Sequence, residues 1–481
     1  MIYKLKDMMT GYNDGKNEAR HVPSFEQYYF DYKGNYEKAL RPDKFLILGK
    51  KGTGKSILAE YIKRNSEKDS CWFCDINSYK DFRFHELKYL KSEAISPNEY
   101  STIWEWIILV QLAEIIVNDQ AISAQKRGIL ENFLKNNFVG MRLNSNRIVK
   151  ITKKNEIRGN ILKNLLSLSG AKDTTYESGS YLDYLEDLNT CVVEALKESS
   201  SRYTLIYDEL DDQFRDEEVY KSNLISLIKT VNNLNSQFLD CNIDAKVILL
   251  LRSDIFYVLN DPDLNKIEQD NSLKIEWGTS TDFNSPLIEM ILLKIRKSCR
   301  GFSNYSNAKL YKILFPKTIS NQNSVAYILG RTYLRPRDIV AYLNCIKDDY
   351  PNATSFKEKF FLIEEKKYSE YLYKEIKNEL CGHFSEDKIN QTLLLLKQYK
   401  KTKFKYRQIK SYYEEKKNMY PAIDLDESLT FLFDVGVIGN YWFNPASRKN
   451  YYTFIHRENA VVNFDRDFVI HPGLRKEFTL C

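Results

Sequence analysis

The stretch Lys44-Phe-Leu-Ile-Leu-Gly49-Lys50-Lys51-Gly52-Thr53-Gly54-Lys55-Ser56 constrains this chain more than any other. A short apolar run breaks into a glycine-rich turn and then into Ile57-Leu-Ala-Glu60, which reads as strand, loop and amphipathic helix. The spacing fits G-x-x-x-x-G-K-[ST], the phosphate-binding loop. Glycines let consecutive backbone N–H groups turn inward around a polyphosphate, and the following helix adds the positive end of its dipole. On this reading the loop from Gly49 through Lys50, Lys51, Gly52, Thr53 and Gly54 cradles the phosphates. Lys55 reaches the β and γ phosphates, and Ser56 holds Mg²⁺. A strand before the loop and a helix after it separate the motif from a plain glycine turn.

At 481 residues the chain exceeds what one core usually serves, so two or three domains are expected. Its apolar runs are too short to cross a bilayer, and the N-terminus lacks the apolar segment of a secretion signal, which favours a cytoplasmic protein. Eight cysteines are scattered. Only Cys71 and Cys74 are close, and Cys381-Gly-His383 is a poor second half for a zinc site, so free thiols are expected. A net charge of +6 falls short of the concentrated positive character of a dedicated nucleic-acid binder.

Residues 1–43 form a leader in which Phe25-Glu-Gln-Tyr-Tyr-Phe30 suggests a short aromatic helix, packed in the core or beside an adenine ring. The segment 44–280 reads as the nucleotide-binding core. Within it, Ile103 to Ile116 is a strongly apolar helix. From Ala121 to Asp173 the cations Lys126, Arg127, Lys135, Arg142, Arg147, Lys150, Lys153, Lys154, Arg158 and Lys163 outnumber the acids. This basic insertion suits nucleic-acid phosphates or an acidic partner, or it is a solvated arm.

Tyr203-Thr-Leu-Ile-Tyr-Asp208-Glu209-Leu-Asp211-Asp212 reads as a buried strand whose carboxylates emerge at the ligand edge of a parallel sheet. Asp208 then serves the Mg²⁺ shell, and Glu209 orients or deprotonates the attacking water, or is a surface acid. Lys246-Val-Ile-Leu-Leu-Leu251 is another buried strand, ending in Arg252, Ser253 and Asp254. Ser272 to Trp277 closes the sheet as its last strand. Segment 281–380 is helical and contains Leu334-Arg335-Pro336-Arg337-Asp338-Ile339. From Ser385 to the end, three short helices over Ile389–Tyr399, Tyr406–Lys416 and Asp426–Val435 precede a hairpin, Asn440–Phe443 with Tyr451–Ile455, and a strand near Asp467. That order describes a winged helix. Its third helix carries Asp424, Asp426, Glu427 and Asp434 and lacks base-reading side chains, so it reads as a packing helix.

An Asp-Glu strand followed by a strand ending in Arg is similar to the additional-strand P-loop NTPases, and within them to the STAND and KAP ATPases. There that arginine senses the γ-phosphate, which the resemblance implies for Arg252; a salt bridge under the sheet edge is the plainer use. The helices from Pro286 resemble the lid of the AAA+ class. Arg-Pro-Arg-Asp resembles its sensor 2 helix, so Arg337 either reaches back to the nucleotide or makes a local ion pair. The whole order resembles bacterial STAND/KAP-like ATPases often found in antiviral defence loci. This implies an α/β P-loop fold with a helical lid and a winged-helix-like end, ATP and Mg²⁺ as ligands, a homo-oligomer and a protein effector. A DNA-dependent ATPase of the initiator or loader type, using the basic insertion and the wing, is the alternative. No Asn-Lys-x-Asp follows the Asp-Glu strand, which favours ATP over GTP.

Overall fold

The computed structural model describes residues 3–80, 82, 87, 100–138, 144–154, 157–159, 162, 179–210, 218–380, 384–458 and 460–480. Arg142, Lys163, Asp211, Asp212, Cys381 and His383 lie outside the described residues. The chain divides into two compact units. A sheet unit comprises Lys33–Lys50 and Lys55–Ile275, and a helical unit comprises Met1–Tyr32, Lys51–Gly54 and Glu276–Cys481.

The sheet unit is built on five parallel strands: β1 (Leu46–Leu48), β2 (Trp72–Ser78), β3 (Arg202–Asp208), β4 (Ala245–Leu251) and β5 (Ser272–Lys274), in the order β2-β3-β4-β1-β5. Strand β4 separates β1 from β3, so an additional strand stands between the glycine loop and the Asp-Glu strand. Helices cover the sheet, which explains why β1, β3 and β4 are continuous apolar runs rather than alternating ones. These helices are α1 (Lys55–Ser66), α2 (Ser101–Ile116), α3 (Ala124–Asn137), α4 (Ser145–Thr152), α5 (Leu185–Leu196) and α6 (Glu218–Asp240). This is the α/β P-loop fold.

Helix α2 is apolar over most of its surface because it is buried over most of it, with Glu105 and Glu114 at half-buried positions. Helices α3 and α4 pack against it through Leu130, Phe133, Ile148 and Val149, all buried. Trp106 Nε1 donates to Thr152 Oγ1 at 3.1 Å, and Gln111 Nε2 to Ser145 Oγ at 3.0 Å. The described part of the basic insertion is therefore no solvated arm; it completes the core. Several of its cations are engaged locally. Lys126 pairs with Glu198 at 3.0 Å, Lys135 with Glu131, and Arg127 Nε donates to the Ile122 carbonyl at 3.0 Å.

Strand β5 is shorter than Ser272–Trp277. Its partner β1 has only three residues, so pairing ends as Ile275 N reaches Leu48 O at 2.8 Å, and Trp277 belongs to the helical unit.

In the helical unit the leader packs on its own terms. Ser24 takes a left-handed φ of 50°, and only Phe25–Gln27 forms a single 3-10 turn where an aromatic helix was expected. Glu18 and Lys294 form a buried ion pair, and Thr10 Oγ1 donates to Asn344 Oδ1 at 2.6 Å. Helix α7 (Pro286–Ser298) and the small antiparallel pair β6 (Thr318–Ile319) and β7 (Gln322–Asn323) precede α8 (Pro336–Asp349) and α9 (Glu358–Leu380). Proline opens α7 and α8 in the first turn, where its missing N–H costs nothing.

The remainder runs α10 (Glu386–Tyr399), β8 (Lys403–Phe404), α11 (Tyr406–Glu415), α12 (Leu425–Asp434), the hairpin β9 (Ile438–Asn444) with β10 (Lys449–Thr453), and β11 (Asp467–Ile470). Its four strands form one antiparallel sheet in the order β10-β9-β11-β8.

Candidate functional site

In the sheet unit, strand register brings one set of polar groups to the carboxyl edge. Leu48 pairs with Leu251, Tyr207 with Leu249 and Ser78 with Asp208, so Gly49, Arg252, Asp208 and Ser78 all stand where their strands end. Open parallel sheets bind ligands at this edge. Gly49 is fixed against β4: its N donates to Leu251 O at 3.3 Å, and its O accepts from Ser253 N at 3.4 Å. Lys55 opens α1 and is buried. Its Nζ folds back along the loop, donating to Gly49 O at 2.7 Å and Lys50 O at 3.3 Å. Ser56 is half-buried one residue further on.

Asp208 ends β3 and is 3% exposed; its Oδ1 accepts from Glu209 N at 2.9 Å. Glu209 has a φ of +61°, a left-handed conformation that costs a non-glycine residue about 1–2 kcal/mol. That turn sends its carboxylate to Ser78, whose hydroxyl donates to Oε2. Arg252 is buried and grips Asp254, with Nε donating to Oδ1 at 3.1 Å. The salt bridge at the sheet edge is thus present, with the guanidinium at the end of β4.

In the helical unit, the loop residues Lys51, Gly52, Thr53 and Gly54 meet their own partners. Gly52 has a φ of +81° and Gly54 of +100°, conformations that glycine adopts freely. Arg337, in the first turn of α8, packs against Gly52 so closely that an added Cβ there would lie 3.0 Å from Arg337 Cβ. Arg337 N donates to Gly52 O at 3.4 Å, its Nε to Asn13 O at 2.9 Å, and its Nη1 to Glu375 at 3.2 Å. Lys51 Nζ lies 3.4 Å from the same carboxylate. Burial pushes the Glu375 pKa up, but the Lys51, Arg337 and Arg335 charges hold it below the ordinary glutamate value.

Trp277 Nε1 donates to Thr53 O at 2.8 Å. Its ring stacks with Tyr32 at 5.5 Å and Phe30 at 6.0 Å. The neighbouring arginines are engaged elsewhere: Arg335 is buried between Asp338 and Glu379, and Arg331 pairs with Glu365 at 2.6 Å.

Ser78 and Glu375 escaped the sequence reading, and Trp277 was read as the end of a strand rather than as a partner of Thr53. Ser78 had a signal, being the last residue before the apolar pattern of β2 breaks; Glu375 sits in a lysine- and glutamate-rich helix where nothing marks one acid above another. The donors fit the chemistry of the ligands. A serine hydroxyl and a carboxylate are hard oxygen ligands of the kind Mg²⁺ takes, and glycines at positive φ let backbone N–H groups face an anion.

Comparison with known proteins adds three likenesses. Residues 285–377 match the FunZ-associated C-terminal helical domain, a span that runs from α7 into α9 and includes Arg337 and Glu375. The transposon gamma-delta 80.3 kDa protein of Escherichia coli (strain K12) is 20% identical over 317 residues, covering 63% of this chain and 42% of that protein. The chain therefore spans less than half the length of this curated relative. The structure of the Aeropyrum pernix ORC1 protein in complex with DNA aligns over 95% of this chain and 94% of that one, at 10% identity and a TM-score of 0.38. No described helix is long and apolar enough to cross a membrane.

Proposed function

We propose that this chain binds Mg-ATP, hydrolyses it, and uses the nucleotide state to switch a partner effector. The observation that carries the reading is the strand register, which aligns Gly49, Asp208, Ser78 and Arg252 at one sheet edge with Lys55 folded over the loop backbone. Lys55 and the loop amides hold the phosphates, Ser56 and Asp208 hold Mg²⁺, and Arg252 meets the γ-phosphate. When bound, Mg²⁺ neutralises charge on the β and γ oxygens.

Glu209 is the base. Its carboxylate takes a proton from a water as the water oxygen bonds to the γ-phosphorus and the bond to the bridging oxygen breaks, giving ADP and phosphate. The Ser78 hydroxyl donates to Oε2 of that same carboxylate and orients it, while its other acceptor positions can take the water. Arg337 is the sensor 2 residue that the AAA+ resemblance implies, and within its own unit Glu375 holds its guanidinium. A homo-oligomer with a protein effector is the assembly this reading implies.

The test is steady-state ATP hydrolysis by the purified chain, with and without DNA, using Glu209→Gln as the blank. Turnover that vanishes in Glu209→Gln while nucleotide binding persists supports the reading; equal turnover in both removes Glu209 as the base. The alternative, a DNA-dependent ATPase of the initiator or loader type, gains from one observation, the cation-bearing hairpin of the winged-helix-like end. Stimulation by DNA that fades as salt rises would favour it.

A further inference from the structure

The hairpin of β9 and β10 is unusual for what it leaves in water. Register pairs Trp442 with Tyr451 and Tyr441 with Tyr452 on alternate faces, and Phe443 stands opposite Asn450. The paired rings are in contact, Trp442 with Tyr451 stacked at 5.5 Å and Tyr441 with Tyr452 at 5.0 Å. Phe443 is 53% exposed, Tyr452 44% and Tyr451 38%. Such rings on an edge hairpin invite aggregation unless they have an occupant.

Charge says which occupant. From Ile438 to Thr453 the hairpin carries Arg448 and Lys449 and no acid. Each ring face has its own cation from a neighbouring segment: Arg466 Cζ lies 3.6 Å from the Trp442 ring centre, and Lys403 Nζ lies 2.9 Å from that of Tyr441. Lys400, Lys401, Lys405, Arg407 and Lys410 extend the positive side through β8 and α11. Two acids flank Arg466: Asp467, which pairs with Tyr441 at the turn-ward end of β11, and Asp465, so Arg466 is offset there while Arg448, Lys449 and Lys403 keep the hairpin positive. Aromatic rings interleaved with cations bind polyanions that carry flat bases.

We propose that this hairpin binds single-stranded nucleic acid, with bases stacked on Phe443, Tyr451 and Tyr452 and phosphates on Arg448, Lys449, Arg466 and Lys403. A protein partner would find rings but few acids to pair with. A duplex read through its major groove is disfavoured by α12, the helix just before the hairpin, whose N-cap Asp424 and residues Asp426 and Asp434 present acids and no base-reading side chain. Rings exposed on both faces need unstacked bases, which only a single strand offers. The proposal is independent of the nucleotide reading and is tested without nucleotide.

The experiment is fluorescence anisotropy of the full chain with labelled oligo(dT), oligo(U) and a mixed-sequence duplex, at low and moderate salt. The wild type should bind both single strands more tightly than the duplex. Phe443→Ala with Tyr452→Ala should weaken single-strand binding about tenfold or more. Arg448→Gln with Lys449→Gln should lower the single-strand salt slope by about 1.4. Preference between oligo(dT) and oligo(U) tells DNA from RNA. Duplex preference, wild-type affinity in the ring variant, or no binding at low salt overturns the proposal. Because all four side chains are at the surface, unchanged thermal unfolding of both variants shows that a loss is not misfolding.

Discussion

Lys55→Met keeps an unbranched stem in a buried position and removes only the ammonium. Without nucleotide that ammonium donates to the Gly49 and Lys50 carbonyls. Hydrogen bonds from a charged donor contribute about 1.5–3 kcal/mol each, while burying an ammonium costs several kcal/mol. The two terms nearly offset, so the ligand-free variant should stay within about 1 kcal/mol of wild type, or about 2–4 °C in Tm for a unit the size of the sheet unit. Nucleotide changes the comparison. At Mg-ATP concentrations about 100 times Kd, linkage stabilises the wild type by about 2.7 kcal/mol, which is about 5–10 °C. If Lys55→Met binds about 100-fold more weakly, the same concentration stabilises it by only about 0.4 kcal/mol, or about 1 °C. Thermal unfolding of both proteins with and without Mg-ATP reads both numbers at once. A variant that unfolds like wild type without ligand yet keeps the full nucleotide shift would refute the assignment of Lys55 to the phosphates.

Glu209→Gln should keep the nucleotide-induced thermal shift and lose at least about 100-fold in turnover, since a general base contributes about 10²–10⁴-fold; single-turnover hydrolysis with labelled ATP measures it. Lys294→Met should destabilise the helical unit by about 3–5 kcal/mol, because it leaves the Glu18 carboxylate buried without its ammonium. Urea unfolding would show this, and Glu18→Gln added to Lys294→Met should recover part of the loss. Glu375 sets a pH dependence. Its folded pKa is lowered, so the unfolded chain binds more protons in the glutamate range, and the stability it contributes is present above about pH 4.5 and lost as pH falls through the folded value. Glu375→Gln should therefore show a flatter fall in denaturation midpoint between neutral and acid pH; an unchanged slope would remove Glu375 as the source.

What the sequence made legible was local. The glycine loop, the Asp-Glu strand and the strand ending at Arg252 each combine a continuous apolar run with an abrupt polar end, a pattern set by burial on both faces of a parallel sheet. Three features depend on distant partners and left no local trace. The leader's apolar residues follow no helix or strand period, and it is held by distant contacts, Glu18 on Lys294 and Thr10 on Asn344, that span 276 and 334 positions. Trp277 looked like the end of a strand because its β-propensity and the run before it agree, yet pairing stops with β1. The basic insertion looked like an arm because its cations outnumber its acids, while its buried residues, Leu130, Phe133, Ile148 and Val149, are spaced thinly along two short helices.

The two arginines proposed to meet the nucleotide, Arg252 at the γ-phosphate and Arg337 from α8, differ in how they are held. Both already grip a carboxylate, so a phosphate must displace one, and only the surplus over the existing pair is available to shift a conformational equilibrium. Asp254 sits two residues from Arg252 on the turn after β4, so a rotation of either side chain can exchange one partner for the other without moving an element. Glu375 lies on α9, 38 positions from Arg337, and the same carboxylate holds Lys51 of the loop. Drawing Arg337 away leaves Glu375 to Lys51 alone and unbalances the join between loop, α8 and α9. On the proposed reading, Arg252 would exchange Asp254 for phosphate with little structural consequence. Arg337 is tied instead to α9 within the helical unit, so the same exchange there would disturb the packing of α8 on α9.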